Sequence, residues 1–139
     1  MISIAEMKEL VEKEVKAEKE SAKIKYDKDL AMYRDRLKKV KPKLMEYIEK
    51  CIYNDIKYNN SVIKLYTQPF EEMFKPINKY GTNILFYLSN NNLKPNDAYD
   101  VAIKELAEEV RQELYSAGVK RIIENSNCIV GQPYIILEV

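Results

Sequence analysis

The side chains best equipped to hold an anion gather between residues 23 and 43. Lys23, Lys25, Lys28, Arg34, Arg36, Lys38, Lys39, Lys41 and Lys43 stand there against Asp27, Asp29 and Asp35, with Tyr26 and Tyr33 among them. Residues three or four apart share one side of a helix, so Arg34, Lys38 and Lys41 can converge on one phosphate or on a phosphate backbone. A guanidinium offers two parallel N–H donors to phosphate, and a tyrosine ring offers a flat face to a base. Tyr33 beside Arg34 therefore suits a nucleotide-type small molecule. Arg121, next to Lys120 at the start of a terminal strand, is placed to line an adjacent pocket. The plainer alternative is a solvated basic face beside an apolar seam in which Tyr33 turns its ring inward.

Acid–base chemistry is supplied by carboxylates alone. The chain has no histidine, which removes imidazole-based triads, HExxH zinc enzymes and most other zinc sites. Glu71, Glu72, Asp55, Asp97 and Asp100 lie nearest to loops or helix starts, but none has a diagnostic spacing. A carboxylate- and metal-dependent phosphodiesterase is the enzymatic alternative, and no clustered acidic motif speaks for it. Gly81, Gly118 and Gly131 are isolated, so neither GxGxxG nor GxxxxGK[ST] can be written. Cys51 and Cys128 form no CxxC pair, and the sequence implies no cofactor.

These residues need elements to hold them. Ser3 and Glu6 fit a capping box, which starts a helix at Ile4. Its apolar stripe is thin up to Lys25. From Tyr26 it strengthens through Leu30, Tyr33, Leu37, Val40, Leu44, Tyr47 and Cys51, in steps of four and three. That seam is either a core-facing helix or an oligomer contact through Tyr26, Leu30, Leu37, Val40 and Leu44. Pro42 predicts a break or kink, with a second helix from Pro42 to Lys57. Residues 61–67 alternate as a strand, residues 68–76 allow one helical turn, and residues 82–88 lean towards a strand. Asn90–Asn92 form a turn. Pro95 opens a helix whose face is Tyr99, Ile103, Leu106, Val110, Leu114 and Ala117, and Gly118 ends it. Two strands follow, at 119–124 and 133–139, joined by residues 125–132.

The expected architecture is α+β: long N-terminal helices, then a small, mainly antiparallel sheet of three or four strands with one packed helix. Residues 1–58 would form the helical arm and helix pair, and residues 59–139 the sheet portion, within a chain whose 139 residues suit one cooperative domain. No apolar run is long enough to span a membrane and no secretory signal is visible, so the expectation is a cytoplasmic protein with reduced thiols. The net charge of +1 speaks against binding nucleic acid by bulk charge. It conceals a division, because residues 97–118 carry six carboxylates against Lys104 and Arg111. That acidic helix either stays wet or meets the basic segment of another subunit.

Lysine outnumbers arginine by 19 to 4, a usage expected of an AT-rich genome. A helix such as Ile103-Lys104-Glu105-Leu106 through Leu114-Tyr115-Ser116-Ala117-Gly118-Val119 runs straight into a terminal hairpin, Val119-Lys120-Arg121-Ile122-Ile123 with Tyr134-Ile135-Ile136-Leu137. Over residues 102–139 the chain resembles the C-terminal half of small accessory proteins from phages of low-GC Gram-positive bacteria. The resemblance covers about a quarter of the sequence and brings no functional residues. It implies a protein of the host cytoplasm that disables antiviral defence by binding. Its partner would be a nucleotide-derived immune signal or a host defence effector or nuclease.

Overall fold

A computed structural model describes residues 1–77, 84–124 and 134–139. One helix dominates it: α1 runs from Ile4 to Lys57, 54 residues or roughly 80 Å at 1.5 Å per residue. Ser3 caps it in an extended conformation, its Oγ accepting from the Glu6 N–H at 3.2 Å. At the other end Asn59 turns the chain with φ 61°, a left-handed conformation that asparagine tolerates better than most residues. Asn60 then donates its backbone N–H to the Asp55 carbonyl at 2.8 Å. The expected break at Pro42 is absent, and α1 continues through it. Proline removes one backbone bond, but Leu37, Leu44 and Ile48 on either side are almost wholly buried, so packing holds the helix together across the gap.

β1 (Val62–Tyr66) follows, then α2 (Thr67–Phe74), α3 (Ile84–Ser89), α4 (Ala98–Ala117), β2 (Arg121–Glu124) and β3 (Tyr134–Glu138). The sheet is antiparallel in the order β1-β3-β2, with Ile63 and Ile122 both opposite Leu137. Ile63, Leu65, Ile135 and Leu137 point inward and are buried, as the strand alternation requires. The connection at 125–132 lies outside the described residues.

Three expectations need correction. The segment after β1 holds an eight-residue helix rather than one turn, because Phe70 and Phe74, four apart, insert together into the core. Residues 84–88 form the helix α3, not a strand; residues 82 and 83 are outside the described residues. Ile84, Leu85, Tyr87 and Leu88 are buried on one side and Phe86 is 42% exposed on the other, and because the exposed position is apolar too, the periodicity by which a helix is read does not show. Finally, α4 is opened by Asp97, whose Oδ1 accepts from the Asp100 N–H at 2.8 Å, and not by Pro95. Gly118 closes it as expected, at φ 111°.

α4 packs along the second half of α1, and the partners rise together in number: Tyr33 with Tyr99, Arg34 with Glu105, Lys41 with Glu109 and Glu113. The two helices therefore run parallel. Leu30, Leu37, Leu44 and Ile48 join one hydrophobic cluster with residues from β1, α2, α3, α4 and β3. The two segments drawn at residue 58 share that core. Residues 1–28 take no part in it, and every one is exposed.

Candidate functional site

The acidic face of α4 lies against the basic segment of α1 in the same chain. Glu105, Glu109 and Glu113 repeat every four residues on one side of α4, and the cations of α1 at 34 and 41 match them. Arg34 makes the two-pronged contact that a guanidinium favours, Nε to Glu105 Oε2 at 2.8 Å and Nη2 to Oε1 at 2.5 Å. Lys41 Nζ sits between Glu109 Oε2 at 3.1 Å and Glu113 Oε1 at 3.0 Å. The hydrogen bonds that Arg34 donates to Glu105 hold its guanidinium protonated even more firmly than usual, and those that Lys41 donates to Glu113 and Glu109 raise it above the ordinary lysine range.

A cleft of about 160 Å³ lies here, lined by Arg34, Leu37, Lys38 and Lys41 on one wall and by Glu105 and Glu109 on the other. Ligand pockets commonly enclose about 300 Å³ or more. An anion entering would have to displace carboxylates already bound to both cations. Lys38 remains exposed at the rim. Tyr33 is half-buried, edge-to-face against Tyr99 with ring centres 5.2 Å apart. The structure thus brings Tyr33, Arg34, Lys38 and Lys41 to one helix–helix boundary, where Tyr33 packs and the two strongest cations are already neutralised.

Arg121 is elsewhere, on the outer face of the sheet, its Nε 3.4 Å from Glu138 Oε2 on the neighbouring strand. That face also carries Tyr66 and Tyr134, with ring centres 5.4 Å apart, and Lys64 over the Tyr134 ring at 5.2 Å. The tyrosines oppose each other across β1 and β3, so that end of the face is a half-exposed aromatic patch with Lys64 upon it, while Arg121 lies at the far end of β3 beside Glu138.

The seam expected to join subunits is spent within the chain. Leu30, Leu37 and Leu44 are buried and Val40 half-buried among the residues α4 packs upon, while Tyr26, just before α4 begins, is 40% exposed. One helical face cannot be covered twice, so this stretch serves as core.

The sequence marks Arg111 only as a cation of the acidic helix, not as a helix cap. Buried on α4, it donates Nε to the Leu88 carbonyl at 3.2 Å and Nη2 to the Tyr87 carbonyl, with Nη1 on Glu108. Those carbonyls belong to the last turn of α3, which has no further turn to donate N–H groups to them. The one available signal was its position, a single arginine directly after Val110 on the apolar face of α4. Among the described residues, no group of three or more acidic or sulfur ligands could hold a metal ion, and no helix is long and apolar enough to cross a membrane. Compared with known proteins, the chain matches no family model, no curated protein and no solved structure.

What remains is the arm. Residues 4–28 of α1 project for roughly 37 Å past the body. Ile4, Val15, Tyr26, Leu37 and Ile48 are eleven residues apart, a step that returns a helix to within about 20° of the same direction. Met7, Val11 and Ala22 widen this line. The face buried by α4 from Leu30 onward therefore continues, uncovered, along the arm: Ile4 is 72% exposed, Val11 56% and Val15 41%.

Proposed function

We propose that the chain is a non-enzymatic binding protein that engages other protein through its helical arm. The observation that carries this reading is the apolar stripe of residues 4–26, exposed along its length while the same face is buried further down the helix. Helices in proteins owe most of their stability to a packed face, and an apolar face kept on a projecting helix fits helix-to-helix recognition. In the phage setting suggested by residues 102–139, the chain acts in the host cytoplasm and its target is a host defence effector or nuclease, inhibited stoichiometrically.

A photo-crosslinking residue at Val15, introduced in the full chain and activated in cells, tests this. Protein-sized adducts from Val15, with few from an exposed body position such as Glu71, are the expected result. An arm that yields no protein adduct refutes the reading.

Sequestration of a nucleotide-derived signal is the second reading. It loses the Arg34 cleft and Arg121, which lies at the far end of the sheet, but is supported by the outer sheet face, where Tyr66, Tyr134 and Lys64 combine stacking surfaces with a cation. Native mass spectrometry against cyclic and ADP-ribose-type nucleotides decides it: retained mass that Tyr66→Ala abolishes supports it, and no retained mass ends it.

A further inference from the structure

We infer that the arm binds an amphipathic, acidic helix of a different protein, laid parallel to α1 in the way that α4 is laid further along. The inference rests on the reading that the arm binds protein, and it names the partner's chemistry.

α1 already shows once what its face recognises. From Leu30 onward that face holds α4, with apolar side chains at the centre and, along one edge, Arg34 on Glu105 and Lys41 between Glu109 and Glu113. A helix returns to the same direction after eighteen residues, or five turns. Eighteen residues before Arg34 and Lys41 stand Lys16 and Lys23. Eighteen before Tyr33, Val40 and Leu44 stand Val15, Ala22 and Tyr26. The arm therefore repeats the seat of α4, with the apolar line and the basic edge on the same side of it. Val11, Val15, Lys16 and Lys19 line a shallow groove there together with Glu12.

The differences between the two seats bear on the partner. Lys19 and Glu12 stand where Leu37 and Leu30 do, so the stripe is narrower on the arm and its edge more charged. Among the described residues Lys16, Lys19 and Lys23 have no ion pair, whereas Arg34 and Lys41 are already neutralised. Residues 4–28 hold seven lysines against seven carboxylates, so the arm has no net charge to draw it to an anionic membrane surface. Its charge is sided instead: the edge that continues Arg34 and Lys41 carries Lys8, Lys16, Lys19 and Lys23 against Glu12 alone. Carboxylates four residues apart beside an apolar face, the pattern of Glu105, Glu109 and Glu113, match such an edge. The chain's own helix of that pattern has its apolar face buried against the body, so the partner is a different protein. Every residue from 4 to 28 is exposed, which leaves room for a helix of α4's 20 residues, or roughly 30 Å.

A labelled synthetic peptide of residues 97–118, the chain's own acidic helix, is the probe, and its fluorescence anisotropy is read against the full chain. It should bind saturably, with a dissociation constant below about 1 mM. Lys16→Glu with Lys23→Glu should weaken that binding by about tenfold or more. A peptide carrying Glu105→Lys, Glu109→Lys and Glu113→Lys should reverse the preference and bind the double variant more tightly than the wild type. Neither misfolding nor docking on the body would produce that reversal. Both lysines are exposed and outside the core, so the thermal melt serves as the folding control. No binding, or binding indifferent to Lys16 and Lys23, overturns the inference. Val15 crosslinks to a protein would then leave the arm a partner of other chemistry, and crosslinks to a second copy would make that copy the occupant. With no crosslinks at all, the reading of the arm as a protein-binding element falls as well.

Discussion

Replacing Arg111 with methionine should destabilise the protein more than any other single loss of charge. The residue is 8% exposed and its guanidinium serves the Tyr87 and Leu88 carbonyls, which end a helix of six residues. Hydrogen bonds from charged donors contribute about 1.5–3 kcal/mol each, and a buried carbonyl left unpaired costs about as much. Methionine keeps most of the side chain's apolar bulk, so the loss of the two bonds sets the effect at about 3 kcal/mol. For a chain of this size that lowers the melting temperature by roughly 10 °C. Arg111→Lys should recover less than half, since one ammonium cannot reproduce the fork. Circular dichroism melts at neutral pH provide the measurement, with Arg34→Ala as the contrast. That arginine makes a two-pronged bond as well, but its side chain is 49% exposed, and its loss should leave the melt nearly unchanged. A melt for Arg111→Met within roughly 2 °C of wild type would refute the assignment of Arg111 as the cap of α3.

Pro42→Ala should stabilise the protein by about 2 kcal/mol in urea denaturation, because Pro42 is exposed, withholds a backbone donor inside α1 and has the poorest helix propensity. No gain would mean that the helix has relaxed around the ring. A further expectation concerns alkali. Burial, followed by a hydrogen bond with Cys51, pushes the Tyr47 hydroxyl from its ordinary 10.0 up to about 12, and burial pushes the Cys51 thiol up from 9.0. Both groups ionise first in the unfolded chain, so the stability they contribute is intact below about pH 9 and is lost as pH rises towards 12. Tyr47→Phe should flatten that decline between pH 10 and 12, and an unchanged slope would remove Tyr47 from the account.

The elements legible in the sequence were those whose periodicity survives in one face. The run from Tyr26 to Cys51 announced a buried stripe, and the alternation at 61–67 announced β1. Gly118 and Ser3 announced their caps through chemistry that is local. α3 was not legible, since its exposed residue Phe86 is as apolar as the buried Ile84, Leu85, Tyr87 and Leu88, and the side chain that caps it, Arg111, is more than twenty residues away. Pro42 misled for a related reason: a local preference was outweighed by the packing of Leu37, Leu44 and Ile48. The site was half legible. Arg34 and Lys41 were singled out for a phosphate and are instead held by carboxylates of α4, and the acidic helix was read as either staying wet or meeting another subunit. That each would satisfy the other within one chain depends on α4 docking parallel to α1, which no local pattern records.

The strand order carries a consequence for how the protein is made. β3 lies between β1 and β2, which do not pair with each other. Val62 must therefore wait for Glu138, and both ladders form around the strand that follows them in the chain. During synthesis α1 is complete, and its arm able to meet other helices, while the body still has no sheet at all. Contacts this distant in sequence form slowly. Encounters of the arm with a protein partner can thus begin on chains whose bodies have yet to close, and the order of assembly would be partner first, fold second.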